Sequence, residues 1–134
     1  PYYEFHRFGI ERKRADVVRA VCARANRLEE CVEMPLDRVA LRLRSFTGVG
    51  AWTVAEVGAR ALGDADAVSV GDFHLPHLVA WAFAGEPRAT DERMLELLAL
   101  YAGQRGRVIR LIESSVSPPP RRAPRQRIRS IARI

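Results

Sequence analysis

A pair of glycines, an indole and a carboxylate carry the chemistry this sequence could do. Gly48 and Gly50 flank Val49, and Ala51, Trp52 and Thr53 follow at once. Glycine tolerates positive φ and presents no side chain to an approaching surface. A helix beginning after such a turn has N–H groups without intrahelical partners, natural donors to a phosphate oxygen. The plain alternative is an ordinary helix–helix turn. A tight turn needs one glycine, however, and two suggest that a group outside the chain comes close to the backbone. Further on, Asp72 follows Gly71 and precedes an apolar helical pattern. Aspartate is a favoured N-cap, and a helix N-terminus favours its ionised form. The same fixed anion could stabilise positive charge developing on a reacting group.

Other polar side chains offer less. His74 and His77 flank Pro76 close to Asp72. Histidines three apart can share a helix face, but no third nitrogen or sulfur ligand accompanies them. The cysteines, Cys22 and Cys31, lie in the first third of the chain. They read as reduced, mostly buried thiols, not as a disulfide framework or metal cluster.

Helices must position these groups. Residues 11 to 31 place Val17, Val18, Val21, Cys22, Ala25 and Leu28 at helical spacing, which predicts one amphipathic helix. A second, shorter helix starts near Pro35, carries Leu36, Val39, Ala40 and Leu43 on one face, and ends before Gly48. The third begins at Ala51, with Gly63 as its stop. Val68, Ser69 and Val70 are extended but too short for a strand. A helix is expected from near Asp72 to about Phe83, with Pro76 tolerated in its first turn. Thr90 and Asp91 open the next, which has early acids and a leucine face. Residues 104 to 115 form the last. The fold class is all-α, an orthogonal helical arrangement of about six helices with no sheet and no repeat.

The bulk numbers agree with one domain. The chain has 134 residues, of which 48% are hydrophobic, enough for a modest core. No apolar run is long enough for a membrane span. The net charge of +6 resides in residues 118–134, which hold six arginines and no acid. Residues 1–117 are electrically balanced, so the basic pI says nothing about nucleic acid binding by the folded body. The Pro/Arg-rich tail reads as an extended, solvated segment that either holds a phosphate backbone nonspecifically or keeps the terminus soluble.

The stretch Leu43 to Val57, "LRSFTGVGAWTVAEV", resembles the hairpin of the helix-hairpin-helix DNA glycosylase superfamily, with Thr47 and Val54 as mild departures. "ALGDADAVSVGDFHL" is similar to that family's catalytic-aspartate segment, and "YAGQRGRVIRLI" to its closing helix. The likeness spans roughly Phe8 to Ile112 and is nearest to the 3-methyladenine DNA glycosylase II type. It implies that the backbone around Gly48, Val49, Gly50, Ala51 and Thr53 grips a DNA phosphate. It implies a monovalent cation, Na⁺ or K⁺, on the carbonyls of Arg44, Phe46 and Val49, and no other cofactor. It implies Asp72 as the catalytic carboxylate, and Trp52 and Phe73 as aromatics of the base pocket. For both rings a core role is the plain alternative, nearly as well supported for Phe73.

Departures from the family sharpen the expectation. Members that also nick DNA use a lysine where Trp52 stands; the only lysine here is Lys13. Schiff-base chemistry needs an amine at the reacting carbon, so the expected enzyme is monofunctional and leaves an abasic site. No cysteine follows Cys31, which sets aside the iron–sulfur branch. Gly106 precedes Arg107 where relatives often carry an aromatic, so one pocket wall is missing. The expected substrate is double-stranded DNA with a flipped, alkylated purine, handled by a cytoplasmic, monomeric repair hydrolase without membrane contact. The family is longer than this chain, so the sequence reads as a carboxyl-terminal portion of an incomplete glycosylase fold. A noncatalytic DNA-binding hairpin module and a glycosylase for another base lesion are the alternatives.

Overall fold

The computed structural model describes residues 1–119. The expectation of an extended tail over 118–134 therefore lies almost wholly outside the described residues. The protein is all-α, with no strand among the described residues. Helices α1 (Tyr2–His6), α2 (Arg12–Cys22) and α3 (Ala25–Glu29) lead into a 3-10 turn at Glu30–Glu33. Then follow α4 (Leu36–Arg44), α5 (Ala51–Ala61), α6 (Leu75–Ala84), α7 (Asp91–Leu98), a 3-10 turn at Ala99–Tyr101, and α8 (Arg105–Ser115). None is long and apolar enough to cross a membrane.

The single helix expected over 11 to 31 is broken. α2 stops at Cys22, and Arg24 takes φ −127° before α3 begins. A straight helix of that length would run about 30 Å. The break instead folds Leu28 and Cys31 onto Val39 and Leu43 of α4, where Val54 and Val57 of α5 also pack. The short α1, which periodicity did not mark, lies against α2.

A second core joins α6, α7 and α8. Val79, Met94 and Leu98 are fully buried there, beside Leu75, Ile109 and Ile112. Gly85 in the left-handed region ends α6 at φ 68°. Thr90 caps α7 by accepting from the Arg93 N–H, as its sequence announced. Glu86 and Arg93 pair across the intervening turn.

The segment between α5 and α6 joins the two cores. Its anchor is Asp66, whose carboxylate accepts from the backbone N–H of Gly103 at 2.8 Å and of Arg105 at 3.0 Å. The Arg105 guanidinium completes a two-pronged ion pair with it. That partner draws the Asp66 carboxyl down to about 2 against the opposing effect of burial. Gly106 lets α8 approach closely: an added Cβ would lie 2.8 Å from the Ala67 carbonyl oxygen. The missing side chain before Arg107 thus has a packing reason.

Candidate active site

Gly48 turns the chain between α4 and α5 with φ +94°, which only glycine adopts without strain. The surface closest to it belongs to the chain itself. A Cβ there would meet the Val17 Cγ2 of α2 at 2.6 Å. Close packing of α2 on the turn, together with the positive φ, is by itself a reason for glycine at 48. Gly50 is different. Its φ is an ordinary −99°, and a Cβ there would meet nothing within 4 Å. Neither backbone conformation nor packing demands a glycine at that position. Gly50 is also the N-cap of α5, and no side chain caps that helix. The amides at Ala51, Trp52 and Thr53 therefore begin a helix whose N-terminus carries partial positive charge.

Asp72 reaches this helix through its side chain. Its Oδ2 accepts from the Trp52 indole Nε1 at 2.9 Å. Its Oδ1 accepts from the backbone N–H of His74 at 2.7 Å and of Leu75 at 2.9 Å. The helix expected to start near Asp72 starts at Leu75 instead, because the aspartate caps it from the loop. The functional and capping roles weighed for Asp72 share one side chain with two oxygens. Partial burial pushes this carboxyl up. The N–H groups of His74 and Leu75, with Trp52, outweigh burial and hold its pKa below the ordinary value. Gly71, just before it, donates its N–H to the Asp91 carboxylate at 2.9 Å, which fixes the loop to α7.

Asp72 lines a cavity of about 160 Å³ between α5, α6 and α8. Glu56, Ser69, Gly106 and Arg110 share that lining. Glu56 stands one helical turn past Trp52, on the same face of α5. Its carboxylate accepts from the Ser69 hydroxyl at 2.5 Å and from Arg60 at 2.9 Å. The Ser69 bond lowers the Glu56 pKa; burial opposes, Arg60 assists, and the Asp72 charge raises it. Arg110 donates to the Ala59 carbonyl at 2.6 Å. The cavity thus presents two carboxylates held in their anionic form. Glu56 and Ser69 went unnoticed in the sequence, although the i,i+4 spacing from Trp52 was a usable signal for Glu56.

The two aromatics occupy different settings. Trp52 is 44% exposed and held by its bond to Asp72. Phe73 is 78% exposed, so the core alternative is excluded for it; its ring meets the His74 ring edge-on at 4.9 Å. His77 accepts the Ala89 N–H on Nδ1 at 3.1 Å. That bond ties His77 to the α6–α7 connection, and no group of three or more His, Cys, Asp or Glu side chains placed to hold a metal ion occurs among the described residues.

The carbonyls of Arg44, Phe46 and Val49 are neutral oxygen donors of the kind hard cations take. The Phe46 carbonyl already accepts the Val49 N–H at 3.0 Å, which leaves one lone pair for an ion. By donor type these oxygens suit a monovalent cation.

No family model, no curated protein and no solved structure matches the chain.

Proposed function

We propose that this chain is the hairpin and catalytic portion of a monofunctional DNA glycosylase, hydrolysing the N-glycosidic bond of alkylated purines in double-stranded DNA. The observation that carries this reading is the 2.9 Å bond between Trp52 and Asp72. It joins an indole in the first turn of the hairpin helix to a half-buried anion beside a cavity. A phosphate on the Gly50 end of α5 would bring the attached sugar toward that anion.

The chemistry follows from what the two carboxylates can do. Breaking the bond sends its electron pair to the base nitrogen and leaves positive charge on the sugar. Asp72, anionic and fixed by three N–H donors, stabilises that charge without reorganising. A water oxygen then bonds to the sugar carbon, and its proton passes to solvent. Asp72 and Glu56 both have lowered pKa values, so neither is suited to protonate a leaving base near neutral pH. That favours a substrate whose base is already cationic and leaves as a neutral molecule, as an N-alkylated purine does. A bound monovalent cation at the hairpin carbonyls would add charge against the DNA phosphate.

The test is Asp72→Asn, which keeps an oxygen for the His74 and Leu75 amides but removes the charge. Bases freed from methylated duplex DNA would be identified by mass spectrometry. Release should fall by about a hundredfold or more, while duplex affinity changes little. An unmutated protein that binds duplex and frees no base leaves a noncatalytic DNA-binding module as the answer. Release from deaminated or oxidised DNA in preference to methylated DNA would reassign the lesion.

A further inference from the structure

A larger cavity, of about 650 Å³, lies on the α2 side of the turn and includes neither Asp72 nor Trp52. α2 supplies Lys13, the break after it Arg24, α3 Arg27 and α4 Arg42, and Thr47 and Gly48 close the end. Arg42 is neutralised by its ion pair with Glu30, and it donates to the Arg27 carbonyl at 2.8 Å. Lys13, Arg24 and Arg27 have no carboxylate partner among the described residues. The one acid in the lining, Asp16, leans instead toward Arg19 at 3.7 Å. The Arg24 guanidinium lies over the buried Phe46 ring, 5.9 Å from its centroid, and is held at the cavity wall.

Like charges gathered in a concave surface focus a field that an anion relieves. The volume is in the range of small-ligand sites, about 300–1,000 Å³. Lys13 lies in the first turn of α2 and Arg24 just past its end, with roughly 14 Å of helix between Lys13 and Cys22, more than one phosphate ion spans. We propose that the α2–α4 cavity binds an anion of several linked phosphates, with Arg24 and Arg27 at one end and Lys13 at the other. This site is separate from the Gly50 end of α5 and does not rest on the base-excision reading. The phosphates come either from a small polyphosphate or from a nucleic acid strand.

The ¹⁵N-labelled full chain would be titrated with tripolyphosphate, with inorganic phosphate and with a single-stranded oligonucleotide, following the amides of Val17, Ala20 and Thr47. Tripolyphosphate should shift these saturably and about tenfold more tightly than inorganic phosphate. Arg24→Gln combined with Arg27→Gln should weaken that binding roughly tenfold, and the arginine tail is common to both proteins. If the double variant loses helix by circular dichroism, Lys13→Gln at its exposed position replaces it, with a loss of about threefold. Shifts with the oligonucleotide alone assign the cavity to a nucleic acid backbone; shifts with tripolyphosphate assign it to a free polyphosphate. Resonances that move with neither, or variants that bind as the parent does, overturn the proposal. A chain that frees no base yet passes this test keeps the site and loses only the glycosylase reading.

Discussion

Trp52 and Asp72 lie twenty positions apart in the chain, and the indole N–H of one donates to the carboxylate of the other at 2.9 Å. The bond spans the first turn of α5 and the loop that precedes α6. It leaves Asp72 with donors on both oxygens, its Oδ1 serving the backbone of His74 and Leu75. The acid is thereby anchored as an anion at the edge of a cavity.

Removing only the indole donor should therefore raise the Asp72 pKa. In Trp52→Phe the ring is kept and the N–H is lost, so the ionised carboxylate has one stabilising bond fewer. Carboxyl ¹³C shifts followed through acid pH should show the Asp72 midpoint moving up toward the ordinary aspartate value. An unmoved midpoint would mean that the indole bond does not persist in solution.

Gly50→Asp should separate stability from the proposed DNA binding. The new carboxylate caps α5 and complements its N-terminal charge, a gain of roughly 0.5–1 kcal/mol in urea unfolding. The same carboxylate occupies the N–H groups and repels a phosphate, so duplex affinity should fall by about tenfold or more. Affinity that holds while stability rises would remove Gly50 and α5 from the DNA contact.

Gly106→Ala should destabilise the protein by about 1–3 kcal/mol. The added methyl would press on backbone, 2.8 Å from the Ala67 carbonyl oxygen and 3.0 Å from that of Ala65, which have no rotamer to yield. Gly63→Ala is a useful contrast: there the strain comes from φ +67° alone, with nothing within 4 Å of the new atom. Thermal melts of the two variants would tell steric from conformational loss.

Acid should weaken the link between the two cores. The Asp66 carboxyl sits at about 2, below its ordinary 3.8. A depressed folded-state pKa contributes stability that is present above the unfolded value and lost as pH falls through the folded one. The window therefore runs from about pH 4 down to about pH 2. The lowered Glu56 and Asp72 act in the same direction. Asp66→Asn should cost about 1–2 kcal/mol at pH 7 and flatten this part of the pH profile, measured by urea unfolding at several acid pH values.

Much of the helical framework was legible from the residues, because helix signals act within one or two turns. Thr90 ahead of two acids marked the start of α7, Gly63 marked the region where α5 stops, and the period of Val39 and Leu43 marked the buried face of α4. The break after Cys22 was not legible. Its local sequence continues a helical pattern, and only the packing of Leu28 and Cys31 on α4 bends the chain away. The start of α6 was displaced for a similar reason: Asp72 caps from the loop through a side chain that also answers to Trp52.

By itself the sequence determined the all-α class, the turn at 48–50 and the capping chemistry available to Asp72, since each depends on neighbours a few residues away. Tertiary structure decided which glycine faces the chain and which faces open space, that Glu56 and Asp72 share a cavity, and that cations without a carboxylate partner among the described residues line one cavity behind the turn. These relationships join residues from separate helices. Their geometry is set by how α2 seats on the turn and how Asp66 and Gly106 draw α8 onto the 64–74 loop, and no local period encodes that closure.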